Sequence, residues 1–175
     1  MAKLRKAVCY RRIERSYTRV SKYRKHSFVK ARPHVKITKF DMGNVKGNFS
    51  FAFDLVSKSD LQVRQEAMEA SRQMLNRKLE QKIGNANYHF RVRKYPHHIL
   101  RQNSIASGAG ADRLSTGMQL AFGKAIGVAA QIRKGDTIFT IKVNKQHRNT
   151  VRAFLTAVRS KLPNQWYVVE KKLGE

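Results

Sequence analysis

Phe49-Ser50-Phe51-Ala52-Phe53-Asp54-Leu55 alternates large apolar residues with small or polar ones. Successive side chains of a strand point to opposite faces, so this run predicts a strand whose aromatic face is core. On its N-terminal side, Val35 and Ile37 alternate with His34, Lys36 and Thr38, predicting another strand closed by a turn at Asp41-Met42-Gly43-Asn44. On its C-terminal side, Ser59-Asp60-Leu61-Gln62 has capping-box spacing, and Leu61, Met68, Leu75 and Leu79 follow at helical intervals up to Gly84. Tyr88, Phe90 and Val92 then alternate with His89, Arg91 and Arg93, a strand that Pro96–Arg101 continues after a break. A short helix is expected from Asp112, with Leu114, Met118, Ala121 and Phe122 on one face and Gly117 inside. Val128–Ile132, a Lys134-Gly135-Asp136 turn and Ile138–Val143 read as a β-hairpin. Asn144 is placed to cap a final helix carrying the stripe Val151, Phe154, Leu155, Val158 and Leu162. Pro163 ends it, and Trp166–Val169 is a last short strand. The order ββαβ(β)–loop–αββαβ predicts an α+β layer fold, helices packed on a mainly antiparallel sheet.

The chain has 175 residues, with 37 Lys+Arg against 11 Asp+Glu and a formal net charge of +26. Residues 1–40 carry +13, residues 41–83 carry +1 and residues 84–175 carry +12. A nearly neutral centre is thus flanked by two strongly cationic segments. Charge of this size repels itself unless a polyanion neutralises it, and the usual polyanion is a nucleic acid. The longest runs without Lys, Arg, Asp or Glu are ten residues, 102–111 and 114–123. A membrane span needs about 18 apolar residues, so neither a transmembrane helix nor a cleavable signal is expected. The single cysteine, Cys9, permits no internal disulfide. An intracellular, soluble, highly basic protein is expected.

Residues 1–32 space single apolar residues with Arg and Lys and interleave Tyr10, Tyr17, Tyr23 and Phe28. No periodicity persists, so an arm that orders on RNA is expected: arginine forks suit phosphates, and rings stack on unpaired bases. Residues 33–175 are expected to form one α+β domain around an internal loop at 102–112. Tests for catalysis find nothing. Gly117 and Gly123-Lys124 miss the Walker spacing, with Ala125 where Ser or Thr is needed. Gly108-Ala109-Gly110 lacks the third glycine of a dinucleotide fingerprint. His89, His97 and His98 form no zinc-binding pattern, and Cys9 lies in the arm with no rigid partner. No catalytic residue, cofactor or metal is expected. Composition alone leaves open an RNA-binding protein, an RNA-modifying enzyme and an architectural DNA-binding protein.

Three strings narrow this choice: Phe28–Asn44 (FVKARPHVKITKFDMGN), His89–Arg93 (HFRVR), and Ser107–Met118 (SGAGADRLSTGM) followed by Ala121-Phe122-Gly123-Lys124. They resemble the universal family of large-subunit ribosomal proteins numbered sixteen in bacteria and ten-e in archaea and eukaryotes, and look most like its archaeal branch. The resemblance covers essentially the whole chain. It implies a two-layer, hammerhead-type α+β fold bound to large-subunit rRNA in the cytoplasm. It also implies that loop 102–112 reaches toward the peptidyl-transferase region and the tRNA acceptor end. The implied partners are large-subunit rRNA, tRNA near the loop and neighbouring ribosomal proteins, with no membrane and no small-molecule substrate. On that reading Arg11, Arg12, Arg15, Arg19, Lys22, Arg24, Lys25 and Arg32 bind rRNA from the arm. Arg91, Arg93, Arg101, Arg113 and Lys124 do so around the loop. Gln102, Asn103, Ser104, Ser107, Gly108 and Gly110 form the tRNA-proximal tip.

Overall fold

The computed structural model describes residues 6–18, 23–26, 31–103, 106, 108–115 and 117–173. Eight strands are present among them: β1 Asp41–Gly43, β2 Phe51–Ser57, β3 Leu61–Arg64, β4 Tyr88–Val92, β5 His98–Gln102, β6 Lys124–Ile132, β7 Thr137–Val143 and β8 Trp166–Lys172. The α-helices are α1 Val8–Arg11, α2 Gln65–Lys82, α3 Ala111–Leu114 and α4 Arg148–Val158. The strands form a five-stranded sheet, β1-β4-β7-β2-β8, and a three-stranded sheet, β3-β6-β5, every pairing antiparallel. The fold is α+β, as the alternation of strand and helix signals predicts.

The two long helices and both sheets share one buried cluster. Phe51, Phe53 and Leu55 of β2, the strand that the 49–55 alternation predicts, meet Phe90 of β4 and Phe139 and Ile141 of β7. Met68, Leu75 and Leu79 of α2 and Val151, Leu155 and Val158 of α4 close over them. Burying a side chain of this size contributes roughly 1.5–3 kcal/mol. The stripe 151–162 therefore holds the final helix to the core. Leu61 and Val63 of β3 and Ala130 and Ile132 of β6 bring the smaller sheet into the same cluster.

Several local expectations are corrected. The run 35–38 is extended but lies in no sheet; Ile37 is buried and Val35 and Phe40 pack on the core, so its alternation marks one-sided packing. The ladder begins where a turn was expected, at β1, which pairs with β4 through Met42 opposite Phe90. The capping-box signal is overridden: Leu61 and Val63 are fully buried opposite Ile132 and Ala130, so 61–64 is strand β3 and α2 starts at Gln65. β5 does not continue β4; it joins the other sheet, beside β6. Asn144 makes no side-chain cap and precedes a single 3-10 turn, after which α4 begins at Arg148.

The expected 128–143 hairpin does not form, although its turn does. β6 and β7 are consecutive yet lie in different sheets. The turn backbone bonds instead to the end of β2. The Gly135 N–H donates to the Ser57 carbonyl, and the Ser57 N–H donates to the Asp136 carbonyl, both at 3.0 Å. The Asp136 carboxylate fixes the turn by accepting from the Arg133 N–H at 3.0 Å and from Lys94 Nζ at 2.7 Å. These donors hold its pKa below the usual carboxylate value, although burial opposes them.

Candidate nucleic-acid interface

The smaller sheet turns Leu61, Val63, Ala130 and Ile132 toward the core, so Gln62, Gln131 and His98 face the other way. That outer face is covered by the arm. Gln62 Nε2 donates to the Cys9 carbonyl at 3.1 Å and Gln131 Nε2 to the Glu14 carbonyl at 2.9 Å. The Tyr17 N–H donates to Nδ1 of His98 at 3.0 Å. Residues 6–18 are therefore seated on protein, which their sequence alone did not reveal. Arg11, Arg12 and Arg15 remain exposed on the outside of this layer, Arg12 paired with Glu14 at 3.3 Å.

Arg101, on β5 at the root of the internal loop, joins arm to loop. Its guanidinium lies 4.0 Å from the Tyr17 ring centroid and 3.5 Å from that of Phe122, and it donates to the Phe122 carbonyl. Tyr17 also stacks on His98 at 5.4 Å and meets Phe122 edge-on at 5.8 Å. A cation between two rings is worth about 0.5–2 kcal/mol per ring, more as water is excluded. Burial lowers the His98 pKa, reinforced by neighbouring His97 and Arg101 and opposed by Glu14. The neutral imidazole is the form that accepts the Tyr17 amide.

The loop leaves β5 at Gln102 and returns into β6 at Lys124, which pair with each other. Its neck is tight. A Cβ on Gly123, which has φ +77°, would meet the Gln102 carbonyl carbon at 2.6 Å and the Asn103 nitrogen at 2.8 Å. Asn103 Nδ2 donates to the Gly117 carbonyl at 3.3 Å, and the Ala106 N–H to Ser115 Oγ at 2.8 Å. Beyond the neck, the expected helix reduces to α3 and a 3-10 turn at Gly117–Leu120. Leu114, Met118 and Phe122 form no buried face; they are 79%, 82% and 50% exposed. Gly108 and Gly110 are exposed, as are Arg113 and Lys124.

The remaining site residues divide differently. Arg91 and Arg93 stand on the outer face of the larger sheet, away from the helices, as their alternation predicts. Arg91 Nε lies 3.6 Å from Asp41, and Arg93 Nε donates to Thr140 Oγ1 at 3.0 Å. Arg32 donates to the Tyr95 hydroxyl at 3.3 Å and lies over that ring. Lys25 is exposed in a 3-10 turn at Arg24–His26. Arg19, Lys22, Ser104 and Ser107 lie outside the described residues, as does the side chain of Arg24. Among the described residues no group of three or more His, Cys, Asp or Glu could hold a metal, and no helix is long and apolar enough to cross a membrane.

Comparison with known proteins identifies what carries this geometry. The family described as ribosomal protein L16p/L10e matches residues 17–169. The large ribosomal subunit protein uL16 of Methanococcus maripaludis strain S2 is 44% identical over 170 residues, 97% of this chain and 95% of the relative. The chain belongs to this ribosomal protein family. Further uL16 relatives are those of Methanoculleus marisnigri, 39% identical over 86% of this chain and 88% of the relative, and Methanospirillum hungatei, 42% over 84% and 86%. Membership of the L16p/L10e family makes the chain a structural constituent of the large ribosomal subunit, and so of the cytoplasmic ribosome.

Proposed function

We propose that this chain binds large-subunit rRNA through its basic arm and loop root, and that the finger at 102–112 helps organise the tRNA-accommodating region near the peptidyl-transferase centre. The Arg101 clamp carries the proposal. It ties the arm's exposed Arg11, Arg12 and Arg15 to a finger rooted beside Lys124, so cations gather at the finger's base while its tip is made of small residues. Phosphate contacts fix position and register. The uncharged tip of Gln102, Asn103, Ser104, Ser107, Gly108 and Gly110 suits a narrow RNA-lined space, where its backbone N–H groups can meet phosphates. Arg91 and Arg93 add contacts on the other sheet and Arg32 on the extended segment before it, and Arg19, Lys22, Arg24 and Lys25 extend the arm. In this arrangement segment 1–32 is the anchor, 33–175 is the scaffold, neighbouring ribosomal proteins pack around them, and the chain performs no chemistry of its own.

Deleting 103–110 tests the division of roles. The shortened chain is expected to sediment with the large subunit, to be stripped by salt like the full chain, and to leave subunits slow in accommodating tRNA. Failure of the shortened chain to enter subunits would make the finger an assembly anchor and overturn the proposed role of its tip.

A further inference from the structure

A second basic surface lies at the end of the larger sheet where β2 starts and β7 and β8 finish. There an open groove of about 1180 Å³ is lined by Lys142, Lys145, Arg148 and Lys172, and no acidic side chain lines it. The register wraps it around the sheet edge. Lys172 lies opposite Phe51 on the helix side, whereas Lys142 lies opposite Ala52 on the other face. Lys142, Lys145 and Lys172 have no carboxylate within 4 Å among the described residues; Arg148 pairs with Glu170 at 2.6 Å and lies over the Phe51 ring. Phe49 also lines the groove. The 49–55 alternation predicts it as core, but it precedes β2 and remains partly exposed. Its ring tip rests against Gly47, where an added Cβ would meet Phe49 Cζ at 2.8 Å.

We propose that this groove binds an unpaired stretch of RNA, with the three lysines and Arg148 tracking phosphates and Phe49 stacking on a base. The occupant follows from the pairing of features. Cations alone attract any polyanion, but a half-buried ring at the groove wall, braced against a glycine, adds stacking, which a duplex with its bases already stacked cannot use. The proposal rests on the chain residing on rRNA, and it adds a site at the end of the sheet opposite in kind to the finger: fixed, charged and aromatic.

Fluorescence anisotropy of the full chain with labelled U10, with a ten-base-pair RNA duplex and with a labelled ten-residue glutamate peptide tests it. Phe49→Ala is expected to weaken U10 binding about tenfold while leaving the duplex unchanged, and Phe49→Tyr to restore U10 affinity. Lys145→Ala with Lys172→Ala is expected to reduce the salt slope for U10 by about 1.4, at roughly 0.7 for each phosphate no longer neutralised. Circular dichroism matched to the parent chain excludes misfolding. Unchanged U10 affinity in both sets of variants would overturn the proposal. So would variants that weaken glutamate-peptide binding and spare U10, since the partner would then be an acidic protein segment. Failure of the parent chain to sediment with large subunits would remove the ribosomal-residence reading, a result independent of the variant comparison.

Discussion

His98 shows how one side chain sets the state of the arm. Only its unprotonated Nδ1 accepts the Tyr17 amide, and burial with His97 and Arg101 nearby disfavours the charged ring. An undocked arm leaves His98 to take up its proton near the ordinary value of 6.5, whereas the docked state takes it up at lower pH. The undocked state therefore binds more protons in that window, and docking weakens as pH falls through and below 6.5. Losing the hydrogen bond costs the docked state about 1 kcal/mol. The Tyr17 amide resonance is expected to shift toward a free-amide position as pH falls below the ordinary histidine value of 6.5, and His98→Asn, which keeps an acceptor without titrating, to abolish the shift. A pH-independent Tyr17 resonance in the parent chain would separate docking from His98. None of this was legible in the sequence, where Tyr17 and His98 are 81 residues apart and read as members of a basic arm and a basic strand. Arg101 was legible as a cation but not as a clamp, because Tyr17 comes from an arm with no periodicity and Phe122 from a stretch whose pattern reads as one face of a helix.

Among the elements, those whose signal is one-sided burial were the readable ones. β4 and α4 form around the apolar stripes that predict them, and β2 forms on the 49–55 alternation although it is buried along its whole length. The misreadings share a cause, since local signals do not specify partners. Capping-box spacing at 59–62 gave way to the ladder with β6, and the 134–136 turn joined two sheets instead of closing one hairpin. The finger is the element whose behaviour depends most on one position. Gly123 combines a positive φ with backbone approach by residues 102 and 103, so Gly123→Ala faces both strain and collision. That substitution is expected to cost about 1–3 kcal/mol, localised to the neck. Faster hydrogen exchange at Gln102, Lys124 and Ala125 with unchanged exchange in β2 and β7 would register it. Equal acceleration throughout would mean that the neck and core open together.

At the scale of the whole molecule, net charge decides behaviour away from the ribosome. A chain of +26 repels itself, and salt screens that repulsion over about 10 Å at 0.1 M. The same screening weakens phosphate contacts. Raising salt from about 0.05 to 0.5 M is therefore expected to raise the Tm of the isolated chain by a few degrees while loosening its hold on rRNA. Calorimetry and sedimentation on one salt series check the opposite signs; a Tm that falls with salt would point to internal ion pairs as the larger effect. The charge distribution was readable from composition. The groove at 142–172 was not, because its four cations come from β7, the turn before α4, α4 itself and β8. The turn between β6 and β7 has a mechanical consequence. Its backbone is bonded to Ser57 on a central strand of the larger sheet, and its aspartate is tied to Lys94. The finger is thus mounted on a short lever with a stiff bearing. A load reaching the neck at Gln102 and Lys124 passes along β6 into that turn and is shared by both sheets.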